Sequence, residues 1–275
     1  MFKSTIPFLP FDVIATVVEI YIKDNAKSCQ CLQNAKALSI ISRSFLHLCR
    51  RHLFSSIHIK ISRQSDHLYT VETFGRLLLK TPDIARYIRK LDICVVEPRI
   101  KSTCFFDQVS RQLTRLQSLT ISNFYFRLMD WNCVSSSMRR ALLNLMHLPT
   151  LTHLDLIRTE NFLASDLITC SNLKHLSVDE LWIVDKEDGA SPLCHKPMQL
   201  QVFDLSLRGT EDLKLLAGRS DGRPILDFTG LEKIVINFGL IDAAVPIRES
   251  VRKSQQLRDI HLRGKRGYFH IPFAG

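Results

Sequence analysis

Apolar positions along most of this chain obey one spacing: an apolar residue, then others three, six and eight positions later. Leu113, Leu116, Leu119 and Ile121 follow it, as do Leu148, Leu151, Leu154 and Leu156. Cys170, Leu173, Leu176 and Val178 repeat it, and so do Phe228, Leu231, Ile234 and Ile236. Three further copies are worn: Ala85, Ile88, Leu91 and Ile93; Pro197, Leu200, Phe203 and Leu205; Ser254, Leu257, Ile260 and Leu262. The second positions stand at 88, 116, 151, 173, 200, 231 and 257, so the steps are 28, 35, 22, 27, 31 and 26 residues. Steps of this size suit one strand plus one helix or turn per unit. The last two apolar positions, separated by one residue, predict a short strand with alternate side chains facing one way. The apolar residue three positions before them turns the chain into that strand. One such unit cannot bury its apolar face alone, so the units must stack.

Helical spacing fills several of the intervals. Leu68, Val71, Phe74, Leu77 and Leu78 predict a helix, as do Met138, Leu142, Leu145 and Met146. Shorter or more polar helices are expected over Asp212–Ala217 and Val245–Gln256. Residues 62–81 could belong to the N-terminal part or begin the array, and Gly264–Gly275 could cap the array or fray. The repeated units resemble the leucine-rich repeat family over roughly residues 82–267. Asn123, Asn161 and Asn237 lie near strand ends at no fixed offset, so the resemblance implies an irregular array with helices of variable length.

The N-terminal stretch has a different pattern. Leu9 and Pro10 precede Val13, Ile14, Val17, Val18, Ile20 and Tyr21. Pro10 suits a helix's first turn, and Asp12 suits the positive end of its dipole. A polar break is expected from Lys23 to Lys36. Ala37, Leu38, Ile41, Phe45, Leu48 and Cys49 form a second helical stripe, and Ile57, Ile59 and Ile61 alternate like a strand. The stretches FLPFDVIATVVEIYIKD and ALSIISRSFLHLCRRHLFSSIHI resemble an F-box, of the divergent kind that opens fungal repeat proteins. LLLKTPDIARYIRKLDI resembles the segment that follows such boxes.

The F-box resemblance implies docking to the Skp-type adaptor of a cullin-RING (SCF-type) ubiquitin ligase, with a protein target on the repeats. Leu9 and Pro10 would open the docking surface, with Ile14 and Val17 on the first helix and Leu38, Ile41, Phe45 and Leu48 on the next. Phe45 stands where the family often has Trp. Each of these residues could instead pack inside a three-helix module. Asp92, Asp155 and Asp204 share one template position, between the two strand apolars, which points away from the core. They are the candidate target-binding residues on a concave strand face, with Arg158, Lys174 and Arg208 nearby in sequence; solvation of an exposed strand face is the other reading. His153 and His175 also hold matching places beside the strands and could share a surface.

Composition changes this picture little. The formal net charge of +10 admits nucleic acid, an anionic membrane or an acidic partner. The basic residues are spread, however, without an aromatic platform or a nucleic-acid module. Asp12 and Glu19 interrupt the first apolar stretch, against a signal sequence or membrane span. The eight cysteines are scattered and only Cys29 and Cys31 are close, so neither a zinc site nor a disulfide framework is expected. No nucleophile elbow, zinc-protease helix, phosphate loop or dinucleotide fingerprint occurs.

The expectation is therefore an α/β chain without enzymatic activity, cofactor or metal, acting in the cytoplasm, the nucleus or both. Residues 1–61 form an F-box-like helical module, and residues 62–275 an irregular leucine-rich repeat solenoid with parallel strands on its concave face and helices outside. Two other functions stay open: a stand-alone repeat scaffold with a degenerate box, and a basic nucleic-acid-binding protein.

Overall fold

The copies of the apolar template become neighbouring strands, in register, in a computed structural model of the chain. The structure describes residues 10–24, 29–41, 43–62, 70–96, 104–123, 128–184, 197–206, 225–237, 257–264 and 267–272. The chain divides into two units, Met1–Ser56 and Ile57–Gly275.

The first unit holds three helices: α1 (Phe11–Asp24), α2 (Cys29–Ile41) and α3 (Arg43–Leu53). The carbonyl of Pro10 accepts from the amides of Val13 and Ile14 at 3.0 and 3.2 Å, which starts α1 at the proline. Val18, Ala35 and Cys49 supply buried side chains, one from each helix. Asn34 donates to the Tyr21 hydroxyl at 2.6 Å, and Arg51 pairs with Glu19 at 3.6 Å. The expected polar break differs from what is found, because α2 begins inside it at Cys29. Gln30, Leu32, Gln33, Ala35 and Lys36 are good helix formers, so polarity there does not end the helix, and Gln33 and Lys36 are exposed on it. The stripe from Ala37 to Cys49 is correspondingly carried by two helices.

The second unit contains, in order, β1 (Ser56–Ile61), α4 (Val71–Lys80), β2 (Lys90–Val95), α5 (Cys104–Ser110), β3 (Ser118–Ser122), β4 (Met129–Asp130), α6 (Ser136–Met146), β5 (His153–Leu163), α7 (Ala164–Ile168), β6 (His175–Val184), β7 (Met198–Gln199), β8 (Val202–Ser206), β9 (Leu226–Asp227), β10 (Lys233–Asn237), β11 (Asp259–Gly264) and β12 (Gly267–Pro272). Among the described residues, ten strands form one sheet in the order β1-β2-β3-β5-β6-β8-β10-β11-β12, with β4 beside β5; β7 and β9 pair separately. The ladder from β2 to β11 is parallel, and β12 returns antiparallel.

The fold is thus α/β with a mostly parallel sheet. The module boundary expected after Ile61 falls instead between Ser56 and Ile57. The isoleucine alternation there belongs to the sheet, where β1 neighbours β2. The helix α4 lies in this unit, and Gly267–Pro272 is a strand. The helices expected over 212–217 and 245–256 lie outside the described residues.

One row of register partners runs Leu91, Leu119, Leu154, Leu176, Phe203, Ile234, Ile260, and the next runs Ile93, Ile121, Leu156, Val178, Leu205, Ile236, Leu262. The first row is buried from Leu91 to Ile234. The leading residue of the template makes a tight turn. Its carbonyl accepts from the amide three residues on, as Ala85 does from Ile88, Leu113 from Leu116, Leu148 from Leu151, Cys170 from Leu173 and Phe228 from Leu231. Just before each strand, one carbonyl takes two amides of the following unit. Arg89 takes those of Gln117 and Ser118, Gln117 those of Thr152 and His153, and Thr152 those of Lys174 and His175. Lys174, Gln201 and Glu232 continue the series. The variable steps are absorbed between strands. The longest holds β4, a short 3-10 turn at Trp131–Cys133 and α6, while the shortest holds the extension of β5 and α7.

Below the bulge that interrupts the β5–β6 pairing, Asp166 joins the inserted segments. It accepts from Trp131 Nε1 at 2.9 Å and from Arg139 Nη2 at 3.0 Å, and its side chain is only 12% exposed. Trp131 is fully buried, with its ring 4.9 Å from Phe162 and the Arg139 guanidinium over it. Asp166→Ala would strand an indole N–H and a largely covered cation. It should lower unfolding stability by about 2–3 kcal/mol in urea denaturation, whereas Ser171→Ala, at an exposed turn position, should change it by less than about 0.5 kcal/mol.

Candidate functional site

Strand alternation sends the template's interstrand polar residues to the face opposite the buried rows. Register aligns Asp92, Thr120, Asp155, Ser177 and Asp204 across β2, β3, β5, β6 and β8. The three aspartates singled out from sequence are therefore brought into one row on every second strand, each half-buried. Thr120 donates to Asp155 Oδ2 at 3.0 Å, and His58 Nδ1 of β1 lies 3.8 Å from Asp92 Oδ2. Two residues earlier a second row runs Lys90, Ser118, His153, His175 and Val202 on the same strands, and continues through Lys233 of β10 to Asp259 of β11.

His153 and His175 are direct register partners, with ring centroids 5.2 Å apart and planes tilted by 49°. The Thr152 hydroxyl lies 2.8 Å from His153 Nδ1. Burial pushes the His175 imidazole below its ordinary value; Asp155 pulls it up, while His153 and Lys233 push it further down.

Beyond this strip, β5 and β6 run on past the other strands, with a register shift between Thr159 and Phe162. Arg158, Asn161 and Glu180 adopt positive φ values of 56°, 57° and 49°, unusual for residues other than glycine. Arg158 pairs with Glu180 at 3.5 Å, and Asn161 donates to Asp130 Oδ1 at 3.0 Å. Trp182 and Val184 stand exposed on this extension. No glycine marks it, so the sequence held no ordinary signal for it.

The first unit presents a different surface. Val13, Val17 and Ile20 of α1 are 44%, 60% and 54% exposed, with Tyr21 beside them. Their spacing of four, seven and eight residues from Val13 makes one helical stripe. Of the residues named from sequence, Pro10 and Val17 are exposed, while Ile14, Leu38, Phe45 and Leu48 are half-buried. Leu9 lies outside the described residues, as does the side chain of Ile41. Val13 and Ile20 complete the stripe and were legible from spacing alone.

Burial, then Asp166, pushes the Cys170 thiol up to about 12. Among the described residues no group of three His, Cys, Asp or Glu side chains could hold a metal ion, and no helix is long and apolar enough to cross a membrane. No protein-family model matches the chain, and no curated protein matches its sequence.

The lowered His175 affinity fixes a sign. Unfolded, the imidazole titrates near 6.5; folded, it holds its proton less well, so the unfolded chain binds more protons below that value. His175 therefore makes stability fall as pH drops through 6.5 and below. His175→Gln should flatten the pH dependence of the urea midpoint across that window, and an unchanged slope would contradict the placement.

Proposed function

We propose that the chain is a substrate-recruiting adaptor of a cullin-RING ubiquitin ligase, acting in the cytoplasm or nucleus. Its N-terminal helices are an F-box-like module that binds the Skp-type adaptor, and its sheet is an irregular leucine-rich repeat array that binds a protein target. The observation that carries the reading is the exposed apolar stripe of α1 on a helical unit separate from the repeat sheet. Three large apolar side chains on one helix face stand exposed among the described residues, and an apolar helix face seated in a groove is a common recognition mode. The residues around Leu9-Pro10 and Leu38–Ile57 add the F-box resemblance.

The sheet supports the other half. Its register stacks seven template copies and leaves a polar, mixed-charge strip on the opposite face. Such a strip suits a protein ligand. The chain then performs no chemistry itself; it raises the effective concentration of a bound target beside the ubiquitin-transfer machinery.

The test is binding of the full chain to a recombinant Skp-type adaptor. Val17→Asp/Ile20→Asp should weaken it at least about tenfold, the loss of about 1.4 kcal/mol or more. Thermal stability should be little changed, because both positions are exposed. A folded wild-type chain that does not bind the adaptor would remove the ligase role and leave a stand-alone repeat scaffold.

A further inference from the structure

We infer that the His153–His175 pair, with Lys233 along the same row, is a proton-responsive site for carboxylate side chains of an acidic partner segment. This rests on the reading of the sheet face as the target-recruiting surface, and it names the chemistry of the target.

The two polar rows differ in what already occupies them. In the anionic row, Asp155 accepts from Thr120 and Asp92 faces His58. In the second row the two imidazoles and Lys233 keep open donors. Among the described residues, His175 has no hydrogen-bond partner on either ring nitrogen, His153 has one only at Nδ1, and Lys233 has no ion pair. Lys233 stands two strands from His175, about 10 Å along the row, with the short Val202 between them. Lys90 stands two strands away on the other side of His153. The charged groups on this face are thus Asp155 on β5, Asp179 on β6, Asp204 on β8, Lys233 on β10 with Asp259 of β11 beside it and, farther off, Lys90 on β2.

Two imidazoles held this close repel once both are charged, and Lys233 adds to that repulsion. A carboxylate set between them relieves it and supplies acceptors for the open ring nitrogens. Its arrival must therefore raise the proton affinity of both rings, and by linkage binding must tighten as the solution is acidified. Asp155 favours the same protonation without filling the site, since one of its oxygens is held by Thr120. An acidic segment fits the overall charge of +10, which would draw it in from a distance.

Hexaglutamate, added to the full chain while histidine resonances are followed by NMR, tests this directly. His153→Gln and His175→Gln assign the two signals. The peptide should move both, raise both titration midpoints, and bind more tightly near pH 5.5 than near pH 7.5. Lys233→Ala should weaken it by about threefold to fivefold. Hexalysine should leave the pair unmoved. Silent histidines, equal binding by the Lys233→Ala variant, or an equal response to hexalysine would each overturn the inference. Adaptor binding, measured on the same samples, separates the two failures. Silent histidines in a chain that binds the adaptor remove only the carboxylate site, whereas a responding pair in a chain that does not bind it removes only the ligase role.

Discussion

Parallel register is the constraint on which the second unit depends. A single template copy offers about four apolar side chains and cannot shield them. Once Leu91, Leu119, Leu154, Leu176, Phe203 and Ile234 lie side by side, each side chain is buried beside its neighbours in the row. A slip of one residue in any strand would exchange the buried and polar faces. The paired amides taken by Arg89, Gln117, Thr152, Lys174, Gln201 and Glu232 fix the register at the start of each strand. The same constraint builds the polar strip, because aligning the apolar positions also aligns Asp92 with Asp155 and Asp204, and His153 with His175.

Much of this was legible in sequence because it is periodic. The template placed the strands, their order and the shared position of the aspartates. Lys233 was equally legible, since it holds the same template position as His153 and His175, but it is visible as part of a row only once the strands are paired. The features that escaped are those without period. Helix α2 begins in a polar stretch because helix formation needs propensity as much as apolar residues. The extension of β5 and β6 bends through Arg158, Asn161 and Glu180, where glycine would have been the expected signal. The boundary at Ser56 moved because an alternating run of three isoleucines belongs to the sheet it can pair with rather than to the helices it follows.

The two candidate surfaces obey different physics. The stripe on α1 is apolar and stiff, so its contribution to binding scales with the area a groove can cover. The strip on the sheet is polar and titratable, so it offers selectivity and pH response more than raw affinity. A protein that recruits targets to a fixed machine needs both: one lasting contact with the machine, and one contact that discriminates among targets.

Backbone hydrogen exchange of the full chain, with and without a recombinant Skp-type adaptor, tests the central claim most directly. The account predicts adaptor-induced slowing confined to the first unit and strongest in α1, with the strands of the sheet unchanged. Slowing in the strands with none in α1, or no slowing anywhere at saturating adaptor, would contradict it.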